Sequence, residues 1–211
     1  LFGSPNPNVR VPATYEAVLN PSRYEAFTCA KHMTDDSVEI DVDSRGEPLW
    51  RWQRRLPPVT STMEHEWVEA GVLDPKAARF YPSDVDHPLD RVILHRGTVR
   101  WNAHRKRWVL IAGQVFGKPS MLGEIWYSEA DLPTGPFEKA VKIVTHDRQS
   151  FYNVCHHEFL DRSAGREIYF EGTYTDTFSG NPHKTPRYNY NQILYRLDLD
   201  SDALTRAFPR E

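Results

Sequence analysis

Apolar and polar residues alternate in short runs along most of this chain, and the runs repeat. Asn102-Ala-His-Arg-Lys-Arg-Trp-Val-Leu-Ile-Ala-Gly-Gln114 and Asp161-Arg-Ser-Ala-Gly-Arg-Glu-Ile-Tyr-Phe-Glu-Gly-Thr173 share one form. Each is a polar turn, a basic residue, then an apolar run closed by a glycine, Gly113 or Gly172. The copies resume as Glu124-Ile-Trp-Tyr-Ser-Glu129 and Gln192-Ile-Leu-Tyr-Arg-Leu197. A unit of roughly 50–60 residues made of short strands predicts the stacked sheets of a β-propeller. The expected fold is therefore all-β, with about three to four blades in this chain.

The spacing predicts strands near 96–102, 107–114, 123–129 and 137–144, then near 152–160, 167–174, 190–197 and 203–207. Earlier strands are expected around Val9–Val11, Tyr24–Ala30, Val38–Val42 and Pro48–Arg54, where Trp50 and Trp52 alternate with polar residues. Thr60-Ser-Thr62 ahead of Glu64 starts a short helix that Gly71 ends, and Asp74-Pro75 starts another turn. The chain thus reads as one domain: an extended lead-in (1–23), a blade (24–59), a helical insertion (60–91) and two further blades (92–150 and 151–211). It begins at Leu1 without an initiator Met or a signal peptide, so it reads as an excerpt with further blades upstream, because open sheet edges invite association.

Charge changes this picture little. The formal net charge is −3 and the basic residues are scattered, apart from Arg51–Arg55 and His104–Arg107. The second cluster is expected at a solvated hairpin tip, so nucleic acid is not the expected partner. No run of about 20 apolar residues predicts a membrane span. Cys29 and Cys155 are too far apart in sequence to form a zinc motif; they are either two free thiols or, where inner strands approach, a disulfide. Trp50, Trp52, Trp101, Trp108 and Trp126 are expected between blades.

The segments Trp126-Tyr-Ser-Glu-Ala-Asp-Leu-Pro-Thr-Gly-Pro136, Phe151-Tyr-Asn-Val-Cys-His-His157 and Ile168-Tyr-Phe-Glu-Gly-Thr-Tyr174 carry a resemblance. They are similar to the five-bladed β-propellers of the glycoside-hydrolase-like furanosidase superfamily, which includes arabinanases and β-fructosidases. His95-Arg-Gly-Thr-Val-Arg-Trp-Asn102 and Tyr188-Asn-Tyr-Asn-Gln192 look like a bacterial subgroup of these propellers. The resemblance implies a secreted or periplasmic protein acting on a carbohydrate through carboxylates at a central funnel. Such proteins place three carboxylates on inner strands; here Arg96 and Asn153 stand at the blade openings, and Val154 replaces a common Pro.

In an antiparallel blade the start of the inner strand and the end of the second strand share one mouth. That collects Tyr24, Glu25, His95, Arg96, Gln114, Tyr152, Asn153 and Glu171 around one opening. Polar groups with aromatic planes suit sugar hydroxyls and C–H faces. Glu171 stands where the sister repeat has Ala112, so it is either a general acid or an ion pair with an arginine such as Arg96 or Arg187. Glu25 is the second catalytic candidate, or a rim salt bridge; two carboxyl groups are what glycoside cleavage requires. Glu124 opens a third strand, where an ion pair is the plainer reading. The loop Phe178–Gln192 brings Tyr188 and Asn189 as substrate-binding candidates, or forms a capping strand. His156 and His157 point to opposite faces and cannot share an ion, and His146-Asp147 forms a loop pair. No metal ligand set or cofactor is expected, beyond a Ca²⁺ or Na⁺ in the funnel held by one His and waters. The alternative function is a non-catalytic carbohydrate-binding or scaffold module, and nothing in the chain predicts an oligomeric state.

Overall fold

The computed structural model describes residues 1–211 except 35, 36, 119, 120, 147, 148, 178, 186 and 211. In chain order the main elements are β1 (Val9–Arg10), α1 (Tyr15–Val18), β2 (Glu25–Thr28), β3 (Ala30–Met33), β4 (Val38–Ile40), β5 (Arg51–Gln53), α2 (Ser61–Glu69), β6 (Ser83–Asp84) and β7 (Leu94–Asn102). They continue with β8 (Arg107–Gln114), β9 (Glu124–Ala130), β10 (Lys139–Thr145), β11 (Ser150–His156), β12 (Glu167–Thr175), β13 (Tyr190–Asp198) and α3 (Asp202–Ala207). Strands dominate, so the fold is all-β. Among the described residues no helix is long and apolar enough to cross a membrane.

A central sheet, ordered β6-β10-β9-β8-β7, lies between a first sheet, β1-β2-β5, and a third, β11-β12-β13. Alternation along β8 explains the layering. Val109 and Ile111 share a core with Ile168 and Phe170 of the third sheet. Leu110 and Ala112 point the other way, into a core with Phe27, Phe80 and Trp50. A smaller core under α2 and the β3–β4 hairpin holds Cys29, Val59, Trp67 and Leu73.

The two repeats share more than strand order. Leu94 faces Gln114 while Gly97 faces Ala112, so β7 carries one extra residue opposite Gly113. Tyr152 faces Thr173 while Cys155 faces Glu171, which places the same bulge in β11 opposite Gly172. Beyond this the copies diverge. The strand expected at 203–207 is α3 instead, with Leu204 and Ala207 one turn apart and buried in the core. The single strand expected at Tyr24–Ala30 breaks at Cys29 into β2 and β3, which belong to different sheets. The helix expected after Thr60 forms as α2, with the Thr60 hydroxyl accepting from the Met63 N–H.

Buried ionisable groups were not legible as such, Glu64 and Arg105 among them. Glu64 of α2 is fully buried and accepts the N–H groups of Arg79 (2.8 Å) and Phe80 (2.6 Å); burial pushes its carboxyl up to about 8. Arg105, expected at a solvated tip, is buried and pairs with Glu129 at 2.6 Å. The β7–β8 hairpin tip is covered by the C-terminal segment, whose Phe208 carbonyl accepts from Arg105. Trp126 is buried between sheets and Trp50, Trp52 and Trp108 are partly so, but Trp101 is half exposed, edge-on to Trp108. Both cysteines are free.

Candidate functional site

A cleft of about 470 Å³ opens at the end of the central sheet where β8 stops and β9 starts. Glu124, the first residue of β9, is buried in its wall and accepts from Lys142 Nζ at 2.7 Å. The register of β10 against β9 shifts between Lys142 and Val144. Lys142 thereby lies over the Trp126 ring, 5.2 Å from its centroid, while reaching the Glu124 carboxylate. Trp126 donates its indole N–H to Gln114 Oε1 at 2.9 Å. This fixes the amide orientation and keeps the Gln114 NH₂ as a donor.

A second buried carboxylate, Asp84 of β6, lines the same cleft. It accepts the Asp86 N–H at 2.9 Å and meets His87 Nδ1 at 3.0 Å. Arg91 lies 5.6 Å from the Tyr81 ring centroid and donates to the Tyr81 carbonyl at 2.5 Å. At the rim, Lys118 bonds Asp90 at 2.7 Å and holds that carboxyl below its usual range. Phe116, also lining the cleft, is 62% exposed and sits at φ 60°, a backbone region that bulky side chains rarely adopt. The cleft thus combines two buried carboxylates, Asp90 at its rim, the nitrogen donors of Gln114, Lys142, Arg91 and Lys118, and an exposed ring.

The structure brings Gln114, together with Glu124 in the ion pair expected of it, into this cleft and distributes the other sequence candidates. His95 and Arg96, displaced by the β7 bulge, line a separate cleft of about 220 Å³ beside Ser4 and Asn6. His95 is held below its usual range by burial first and by Arg96 second. Tyr24 donates its hydroxyl to the Val18 carbonyl at 2.8 Å. Glu25 pairs with Arg10 at 2.6 Å and Arg54 at 3.6 Å, the arrangement that the rim salt-bridge reading expects.

Tyr152, Asn153 and Glu171 all belong to the third sheet: Tyr152 lies opposite Thr173, Glu171 lies opposite Cys155, and Asn153 falls in the bulge between Tyr152 and Cys155. Glu171 lies in mid-strand, not at a strand end, and meets His157 Nε2 at 3.0 Å; its ion-pair partner is neither Arg96 nor Arg187. Tyr152 stands edge-on to Tyr190, 5.9 Å between centroids; burial and the Tyr190 hydroxyl push its phenol up to about 12. Asn153 is exposed at φ 56°. Because Glu25 and Glu171 belong to sheets on opposite sides of the central one, the expected catalytic pair does not form one site. Tyr188 is exposed, with Arg187 5.1 Å from its ring centroid, and Asn189 Oδ1 accepts the Asp176 N–H at 3.3 Å. Phe178 and Pro186 of that loop, and Asp147 beside His146, lie outside the described residues.

His156 is buried and bonds Asp161 at 2.9 Å, on the face opposite His157. Among the described residues no group of three or more His, Cys, Asp or Glu is placed to hold a metal ion. Sequence reasoning missed Asp84, Arg91, Phe116 and Lys142. The available signal was the acid–histidine run Asp84-Val-Asp-His87 between Pro82 and Pro88, polar residues held in a turn-rich segment before a long strand. No family model matches this chain, and no curated protein matches it.

Proposed function

We propose that this chain is part of a propeller-type stack of sheets whose mouth binds a carbohydrate, with Glu124 and Asp84 as the carboxylates available for glycoside hydrolysis. The observation that carries this reading is the pairing of two buried carboxylates with Gln114 and exposed Phe116 in one cleft. Gln114 and the carboxylates suit sugar hydroxyls, and Phe116 offers a plane for a sugar C–H face. Support for the propeller comes from the successive stacking of three sheets, the first on one face of the central sheet and the third on the other. The resemblance to furanosidase-like propellers points the same way. It also motivates the expectation of an extracellular or periplasmic setting.

A second reading, carbohydrate binding without cleavage, draws on a specific feature. Each carboxylate already has a nitrogen partner, Lys142 for Glu124 and His87 for Asp84. One experiment separates the two. A panel of arabinan, fructan and other oligosaccharides is screened for binding and for release of reducing sugar, using wild type, Glu124→Gln and Phe116→Ala. Hydrolysis requires release that Glu124→Gln abolishes while thermal unfolding is retained. Binding without release, weakened by Phe116→Ala, selects the second reading. No binding to any glycan removes both.

A further inference from the structure

At the opposite end of the central sheet, a pocket of about 570 Å³ is lined by His104, Arg105, Lys106, Arg107, Arg210 and Glu129, with Pro209 at its edge. Most of its charges are already matched. Arg105 Nε bonds Glu129, Arg107 bonds Asp131, and His104 and Arg210 both reach Asp200. Two groups remain. Lys106 is exposed and, among the described residues, has no carboxylate partner. Arg105 is only 8% exposed, and its Nη1 is buried without an acceptor.

An unmet buried donor is destabilising, more so when it is charged, so an acceptor that reaches it recovers a bond that the chain leaves unmade. Four permanent cations (Arg105, Lys106, Arg107 and Arg210) face three carboxylates, so the excess at this spot is positive although the whole chain is slightly acidic. The planar fork of a guanidinium and the point charge of an ammonium are complementary to a compact oxyanion with several acceptor oxygens. We propose that this pocket binds a tetrahedral oxyanion, a phosphate or sulfate group, through Lys106, Arg107 and Arg105. It is a second site, separate from the cleft at Glu124, and does not depend on the carbohydrate reading.

The test titrates inorganic phosphate and sulfate into the protein at constant ionic strength, with chloride as reference, and follows thermal unfolding and isothermal heat. A saturable rise in Tm specific to the oxyanions is expected, because a ligand that binds only the folded state stabilises it. In Lys106→Asn/Arg107→Gln the affinity falls by about tenfold or more. Asn is chosen because Lys106 sits at φ 53°, which Asn tolerates. Should the double variant not fold, Lys106→Asn alone gives the same readout, since that side chain is exposed and unpaired. A sugar phosphate and a sulfated oligosaccharide form the second arm. Tighter binding of either identifies an ester group as the ligand, whereas equal binding identifies the free ion. A response no different from chloride, or one unchanged in the variants, overturns the site.

Discussion

The central and third sheets are built from the same repeat, yet one is covered on both faces and the other on one. In the central sheet Ala112 is fully buried against the first sheet. At the corresponding place in the third sheet Glu171 is partly exposed and bonded to His157, and its neighbour across β13, Leu194, is 54% exposed. From sequence alone the change from Ala112 to Glu171 looks like installed chemistry. The structure gives a plainer cause: a methyl group is required where a sheet packs, and a carboxylate is tolerated where none does. The lesson is that a charge at a repeat position is informative only once the covering layer of each copy is known.

Exchanging the two residues is the strongest way to break this comparison. Ala112→Glu buries a carboxylate among Phe27, Leu110 and Trp126 with no cation supplied, and about 4 kcal/mol or more of stability is expected to be lost. Urea unfolding of the soluble variant checks it. A loss below about 1 kcal/mol would show that the first sheet does not seal that face.

The repeat glycines give a finer contrast. A Cβ on Gly172 would lie 1.9 Å from the Phe151 ring, whereas on Gly113 the nearest atom, Val154 Cγ2, is at 3.6 Å. Gly172→Ala therefore forces the Phe151 ring to move within a filled core, at a cost of about 3 kcal/mol. Gly113→Ala meets ordinary contacts and is expected to be neutral or to stabilise by about 0.5 kcal/mol, because alanine loses less backbone entropy on folding. Equal effects, measured as the shift in denaturation midpoint, would mean that the third sheet's core is loosely packed around Phe151.

Strand order was legible because short apolar runs and turn residues are local signals. β8 and β12 fall at or within one residue of their expected bounds, and Thr60 starts its helix. Face assignment was not legible. Aligned by glycines and bulges, Ile111 corresponds to Phe170, and both lie in the one core between their sheets. A fan of sheets stacked in one direction needs Leu110 and Phe170 as counterparts instead, a slip of one residue that a period of two cannot reveal. Nor was the cleft legible as a unit. Gln114 and Glu124 were in view, but Asp84 comes from β6, a two-residue strand that pairs in parallel with β10 far along the chain. The end of the third repeat was misread because 203–207 alternates weakly; Leu204 and Ala207 are spaced for one helix face as well as for strand ends.

The smallest expected effect is the most pointed test of the opening contrast. Glu171→Ala removes one half of an ion pair that is partly exposed on both sides, with side chains 32% and 21% accessible. Such pairs contribute about 0–1 kcal/mol, so the midpoint of unfolding is expected to move by no more than that. Glycan binding at the cleft should not change, because Glu171 lies on the third sheet's outer face and the cleft lies at the edge of the central sheet. A variant that folds normally but no longer binds or cleaves a glycan would reverse the argument. It would return the functional centre to the third sheet's open face, which carries Glu171, and leave the Glu124 cleft as the structural ion pair.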